Sequence, residues 1–216
     1  MTSLPFTRIL LLTLRTALAN PDAKVHATLA HLLSLDIPAT PFTGYDCSES
    51  GLITTHPYER DHPGSGYRIG PKTVNMCLSH LTMWRSCELL EGTNGAQPSD
   101  SFLFLEDDVR FRPDWYVRFS RAFAALPPSW DLLYVGSCCC ADKQNNLIAP
   151  DLYRVRYALC THAYAVRRKA LSVLQAACAR IYAGIDISMC LHGIPKLETY
   201  AILPRVADQF ETVISP

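Results

Sequence analysis

The sequence predicts a single α/β domain, residues 1–216, with a mostly parallel central sheet flanked by helices. Two observations carry this. Short apolar runs such as "RILLLT", "FLFLE" and "LLYVG" alternate with segments whose apolar residues recur every three or four positions, as buried strands alternate with amphipathic helices. The 216 residues, 49 % hydrophobic and 19 % charged, suffice for one sizeable core and have the composition of an ordinary globular chain.

Taken in order, residues 8–14 read as a first buried strand. An apolar stretch there with Ala17 and Ala19 behind it resembles the core of a secretory signal, but the run is short and contains Thr13, and a helix-like segment follows it. That helix spans 22–35, with Pro21 and Asp22 as start signals and Val25, Leu29, Leu32 and Leu33 on one face. A short extended piece at 41–45 leads into a loop of about 46–70 that is rich in Gly, Pro, Ser and His. Its length marks it as functional or mobile.

Pro71 opens the next helix at a position where its missing N–H costs little, and Val74, Cys77, Leu78, Leu81 and Trp84 form its inward face. A turn at 92–99 precedes the strand that ends in Glu106, Asp107 and Asp108. Pro113 then starts a helix carrying Trp115, Phe119 and Phe123 inward. Strands follow at 130–137, 152–155, 161–166 and 198–203, with a helix at 168–179.

Twenty Lys and Arg balance twenty Asp and Glu, so no basic excess points to nucleic acid or to an anionic membrane. No run approaches the roughly 20 apolar residues that a bilayer span requires. Nine cysteines, three of them adjacent at 138–140, do not form a regular disulfide framework and show no paired CxxC spacing, so the cysteines read as packing or loop lining. They point to a reducing, cytoplasmic compartment; the alternative is a secretory-pathway lumen, if a signal or anchor lies outside this chain.

The acidic run is the chemical question. Three adjacent carboxylates repel one another and need either bulk water or a cation. In an extended chain Glu106 and Asp108 share one face and Asp107 points to the other. Two carboxylates at one side of a strand's end suit a hard divalent cation, because Mg2+ and Mn2+ take few protein ligands and complete their shell with water and diphosphate oxygens. Acids that cap a strand and prepare a turn are the other reading. Residue types alone leave both open.

Several segments in a fixed order resemble glycosyltransferase family 25, the group that includes lipopolysaccharide and lipooligosaccharide sugar transferases and the collagen galactosyltransferases. They are "RILLLTLR" (8–15), "CLSHLTMW" (77–84), "FLFLEDDV" (102–109), "WDLLYVGS" (130–137), "THAYAVRRKAL" (161–171), "IDISM" (185–189) and "PRVADQF" (204–210). The resemblance implies a GT-A-like fold and transfer, with inversion, of a sugar (galactose by family analogy) from a UDP-sugar to a hydroxyl of a glycan, glycolipid or protein. It also implies Mn2+ or Mg2+ at the acidic motif. By match to the family, Glu106 and Asp108 are the metal residues, and Arg15, Ser79, His80 and Asp107 contact the donor. Asp186 is the candidate general base, a helix cap being its other reading.

The chain departs from the family at Leu12–Thr13–Leu14, where the family has Asn-Leu-Asp, and at Asn75–Met76, where it has Gly-Cys. The alternative function is accordingly a catalytically inactive relative that binds a sugar, nucleotide or protein. His162 is a further candidate for donor or acceptor contact, His192 for reaching the metal, and Arg167, Arg168 and Lys169 for a diphosphate contact. Their plainer readings are a core histidine and the solvated start of a helix. Asp131 reads as structural. Acceptor contacts are expected from His56, Tyr58, His62 and Tyr67 in the long loop.

Overall fold

The computed structural model describes residues 4–46, 69–89, 100–140 and 146–210, so most of the long loop expected at 46–70 lies outside the described residues. Strand β1 (Arg8–Thr13) leads through helix α1 (Arg15–Ala19) into α2 (Lys24–Ser34) and β2 (Thr40–Thr43). Helix α3 (Pro71–Glu88) precedes β3 (Ser101–Glu106), β4 (Val109–Phe111) and α4 (Trp115–Ala124). After β5 (Leu132–Gly136) come the short strands β6 (Cys139–Cys140), β7 (Leu147–Ala149), β8 (Leu152–Arg154) and β9 (Ala158–Leu159). The chain continues with β10 (Ala163–Arg167), α5 (Arg168–Cys178), α6 (Ile185–Ser188), β11 (Thr199–Ile202) and β12 (Ala207–Gln209).

One eight-stranded sheet, in the order β2-β1-β3-β10-β5-β11-β8-β7, organises the domain. Strands β2, β1, β3, β5, β11 and β7 run one way, with β10 and β8 against them, so the sheet is mostly parallel as expected. Two-residue alternation sorts its side chains. Leu10, Leu12, Phe102, Phe104, Leu132, Tyr134 and Tyr164 pack with Val74 and Trp84 of α3 and Leu171 and Leu174 of α5. Ile9, Leu11, Leu103, Leu105, Leu133 and Ala165 pack on the other face with Val25 and Leu32 of α2 and Trp115 and Phe119 of α4. A sheet covered on both faces explains why its strands read as unbroken apolar runs.

The first apolar stretch is a core strand, buried from Ile9 to Thr13. Among the described residues no helix is long and apolar enough to cross a membrane. Helix α2 differs from expectation at its start and on its apolar face. Asp22 is not its cap, because Ala23 takes that position while the backbone N–H of Asp22 donates to Asn20 Oδ1 at 3.1 Å. Leu33 is 76 % exposed, one helical step off the apolar stripe. The ribbon of β4 and β12 was not expected; it pairs Ala207 with Phe111 and closes over the acidic turn. Asp131 is structural: its carboxylate accepts the Glu198 N–H at 2.9 Å and pairs with Lys169 at 2.6 Å.

The layering sets the cost of truncation. Phe104, wholly buried, leaves a cavity when truncated, so Phe104→Ala is expected to cost about 3–5 kcal/mol in urea unfolding. The exposed Leu33→Ala is expected to stay within about 0.5 kcal/mol, and equal losses at the two sites would contradict the layering. At the ribbon, burial favours the neutral form of Asp208, but Arg112, bonded through Nε at 2.7 Å, and Arg205 outweigh it and hold the carboxyl below its ordinary value. A depressed folded-state value contributes stability above the unfolded value of about 3.9, lost as pH falls through the folded one. Wild type should therefore exceed Asp208→Asn in stability at pH 7, with the gap closing below about pH 4. A gap that persists unchanged in strong acid would refute this assignment.

Candidate active site

Strand β3 delivers Glu106 to the carboxyl end of the parallel strands, where it pairs with Leu12 of β1. The chain then turns at Asp107 and Asp108 into β4. Strand alternation therefore stops at Glu106, which corrects the expectation that Asp107 points away from its neighbours. All three carboxylates line one cavity of about 490 Å3, together with Thr13, Lys24, Lys72, Asn75 and others.

Glu106 is held from behind. Thr161 Oγ1 donates to its Oε1 at 2.5 Å, and His80 Nε2 faces the same oxygen at 3.4 Å. His80 is buried, and its Nδ1 lies 2.8 Å from Tyr164 Oη, which accepts the Trp84 indole N–H at 2.8 Å. Tyr164 Oη thus bridges the indole N–H and His80 Nδ1, and Nε2 is the ring nitrogen that faces Glu106. Burial by itself would raise the Glu106 carboxyl, but the contacts from His80 and Thr161 outweigh it and hold the carboxyl below its ordinary range.

Asp107 accepts from Thr13 Oγ1 at 3.1 Å and lies 3.7 Å from Lys24 Nζ. Asp108 Oδ2 is 3.6 Å from the same ammonium and accepts from Gln209 Nε2 at 3.4 Å. Its Oδ1 is buried with no hydrogen-bond partner among the described residues. Burial and the charge of Glu106 push the Asp108 carboxyl up. An unpaired, repelled carboxylate oxygen beside a second ionised carboxylate fits a cation, and the oxygen-only donor set fits a hard one.

Ser79 borders the cavity, but its hydroxyl is committed. It donates to the Asn75 carbonyl at 2.6 Å and accepts the Tyr45 N–H at 2.8 Å. Gly44 permits this approach, since a Cβ there would stand 2.5 Å from Ser79 Oγ. Asn75, noted in the sequence only as a departure from the family, lines the cavity, and its Nδ2 is buried without a hydrogen-bond partner among the described residues. Arg15 opens α1, exposed, one residue beyond Leu14 on the rim. His80 is not among the residues lining the cavity and acts through Glu106.

A second cavity of about 270 Å3 shares Lys72, Met76, Glu106 and Gln209 with the first and adds Thr161 and Asp186. The fold thus brings Asp186 to the acidic site from α6. Its carboxylate accepts the Cys160 N–H at 3.2 Å and its neighbour's, Ile187, at 2.9 Å, which fixes its orientation and leaves lone pairs for another donor. Lys24 and Lys72 were missed by sequence reading; their only local signal is a lysine in the first turn of a helix.

Other candidates lie elsewhere. Arg168 donates to the carbonyls of Cys87 and Glu88 and pairs with Asp100, Lys169 pairs with Asp131, and Arg167 stacks on Trp130, all at the end of the sheet opposite Glu106. His192 packs edge-on against Tyr182. A larger cleft of about 810 Å3 sits at the starts of β1 and β2, between Phe6, Arg8, Leu33 and Tyr116, away from the carboxylates. The cysteine triplet departs from expectation: Cys138 forms a disulfide with Cys160, so it is more than loop lining. His162 is buried beside this bond, its Nε2 donating to the Ala207 carbonyl at 3.1 Å, and burial pushes its imidazole below the ordinary value.

No protein-family model and no curated protein matches the chain. Among solved structures, the mannose-1-phosphate geranyltransferase from Thermus thermophilus is similar at 11 % identity and a TM-score of 0.40, over 95 % of this chain and 76 % of that chain. Nothing about the chemistry of this chain follows from a likeness of that degree.

The chain from Trp84 through Tyr164 to His80 is directly testable. Tyr164→Phe leaves the indole N–H and His80 Nδ1 unpaired in the core, and is expected to cost about 1–3 kcal/mol in chemical unfolding. A change within about 0.5 kcal/mol would show that the phenol is not bonded to both.

Proposed function

We propose that this protein is a metal-dependent glycosyltransferase of family 25 with a GT-A-like domain, transferring a sugar, galactose by analogy, from a UDP-sugar to an acceptor hydroxyl with inversion. The observation that carries the reading is the unpartnered Oδ1 of Asp108, a residue that lines the same cavity as Glu106, Asp107 and two lysines, with Asp186 lining the adjoining cavity. The ordered likeness of seven segments to that family supports it independently.

Glu106 and Asp108 would hold Mn2+ or Mg2+, and the cation would offset the charge of the leaving diphosphate. The side chains divide the remaining work. Lys24 and Lys72, both bordering the cavity, attract the diphosphate by charge. His80 and Thr161 keep Glu106 ionised and oriented. Asp107, tied to Thr13, and Asn75, with its free amide, are placed to contact the donor, and Arg15 lies at the rim. Asp186 takes the proton from the acceptor hydroxyl as its oxygen bonds to the anomeric carbon and the bond from that carbon to UDP breaks.

With a panel of UDP-sugars, the expected result is UDP release that needs Mn2+ and stops on chelation. Asp108→Asn is expected to lower it at least about a hundredfold, and Asp186→Asn to lower kcat by about 10²–10⁴ with little change in KM. UDP release indifferent to chelator and to Asp108→Asn would overturn the metal assignment. Tight UDP-sugar binding without turnover on any acceptor would make the protein a binding module instead.

A further inference from the structure

Among the described residues, one set of three side chains places Cys, His, Asp or Glu ligand atoms all within 4.8 Å of one another, and it is not the acidic cluster: it is Cys138, Cys160 and His162. We propose that these three residues form a second metal site, for a borderline ion such as Zn2+, that exists only when the Cys138–Cys160 disulfide is reduced.

The histidine carries the inference. His162 is 1 % exposed. Its Nε2 lies against the Ala207 carbonyl, which can only accept, so the ring proton is on Nε2 and the lone pair is on Nδ1. Nδ1 is buried and has no hydrogen-bond partner among the described residues. A structural disulfide accounts for the two sulfurs but leaves this nitrogen unsatisfied, whereas a metal bound by both sulfurs and Nδ1 satisfies it. The carbonyl behind Nε2 is the outer partner that ligating histidines ordinarily have. Gly136 makes room for the ring, since a Cβ there would fall 2.2 Å from Nε2.

Two thiolates and a neutral imidazole form a three-ligand set with an open fourth position, and the soft sulfurs separate its preference from that of the oxygen-only site. Tetrahedral ligation with Zn–S of about 2.3 Å needs the sulfurs about 3.8 Å apart, a separation that paired cysteines with Cα atoms 5.6 Å apart reach by side-chain rotation. The switch balances. A dithiol reductant gives two electrons and two protons to the disulfide, becoming a disulfide itself; metal binding then displaces both thiol protons. Cys138 is exposed, which gives the reductant access. Cys160 adopts a left-handed conformation, φ 68°, that non-glycine residues rarely take, and such backbone persists where its surroundings enforce it.

The test is a Co2+ titration of the full chain, reduced with a phosphine under argon, followed by absorption. Thiolate ligation gives charge-transfer and intense tetrahedral bands that an oxygen-only site lacks. One equivalent of Co2+ is expected to develop these bands in the reduced chain and none in the oxidised chain, with excess Zn2+ displacing the cobalt. Cys138→Ser, at an exposed position, and Cys160→Ser should each abolish the charge-transfer band, and His162→Gln should weaken binding at least about tenfold. Asp108→Asn should leave the bands unchanged. Circular dichroism establishes that each variant is folded. A folded, reduced chain without the bands, or bands that survive in Cys138→Ser, would overturn the proposal.

Discussion

A carboxylate at the end of a buried strand must be paired, and the arrangement around Glu106 depends on that requirement. Its cost is met by Thr161 at 2.5 Å and by His80 at 3.4 Å, and His80 is itself positioned through Tyr164 and Trp84. These partners come from α3, from β10 and from Thr161 two residues ahead of it, so one chain of polar contacts joins the helix layer to the centre of the sheet. Trp84 and Tyr164 are wholly buried, and the indole N–H and the phenol at their tips are paired with each other.

The reversed direction of β10 explains why the chemistry gathers where it does. A strand that runs against its neighbours enters the sheet where they leave it, so Cys160, Thr161 and His162 stand beside the exits of β3 and β5. The Glu106 N–H bonds to the His162 carbonyl at 3.0 Å, which fixes this proximity through the backbone. The same geometry carries Arg167, Arg168 and Lys169 to the far end, where they tie down loops and helix ends.

Two donor sets of different character therefore share one end of the sheet. The acids of the β3–β4 turn offer only oxygen, and the cysteine and histidine cluster offers sulfur and nitrogen. Thr161 lies between them in sequence, and Asp186 touches the second set through the Cys160 N–H while bordering the cavity of the first.

Periodicity determined the main elements: alternating apolar runs and three-to-four-residue spacing placed the longer strands and helices, and the core alternation of β1 and β3 follows from a period of two. The acidic motif, too, was visible as a charge cluster at the end of an apolar run. What only the tertiary structure decided was how those groups are partnered. Tyr164 and His80 are separated by 84 positions, Thr161 and Glu106 by 55, and Cys138 and Cys160 come together because β5 and β10 are neighbours. Lys72, an ordinary residue of a helix in sequence, and Asn75, marked there only as a departure from the family, border the site because α3 packs against the sheet. Secondary structure is written in local spacing, whereas ionisation, tautomer and ligand geometry depend on which strand lies beside which, and strand order has no local signature.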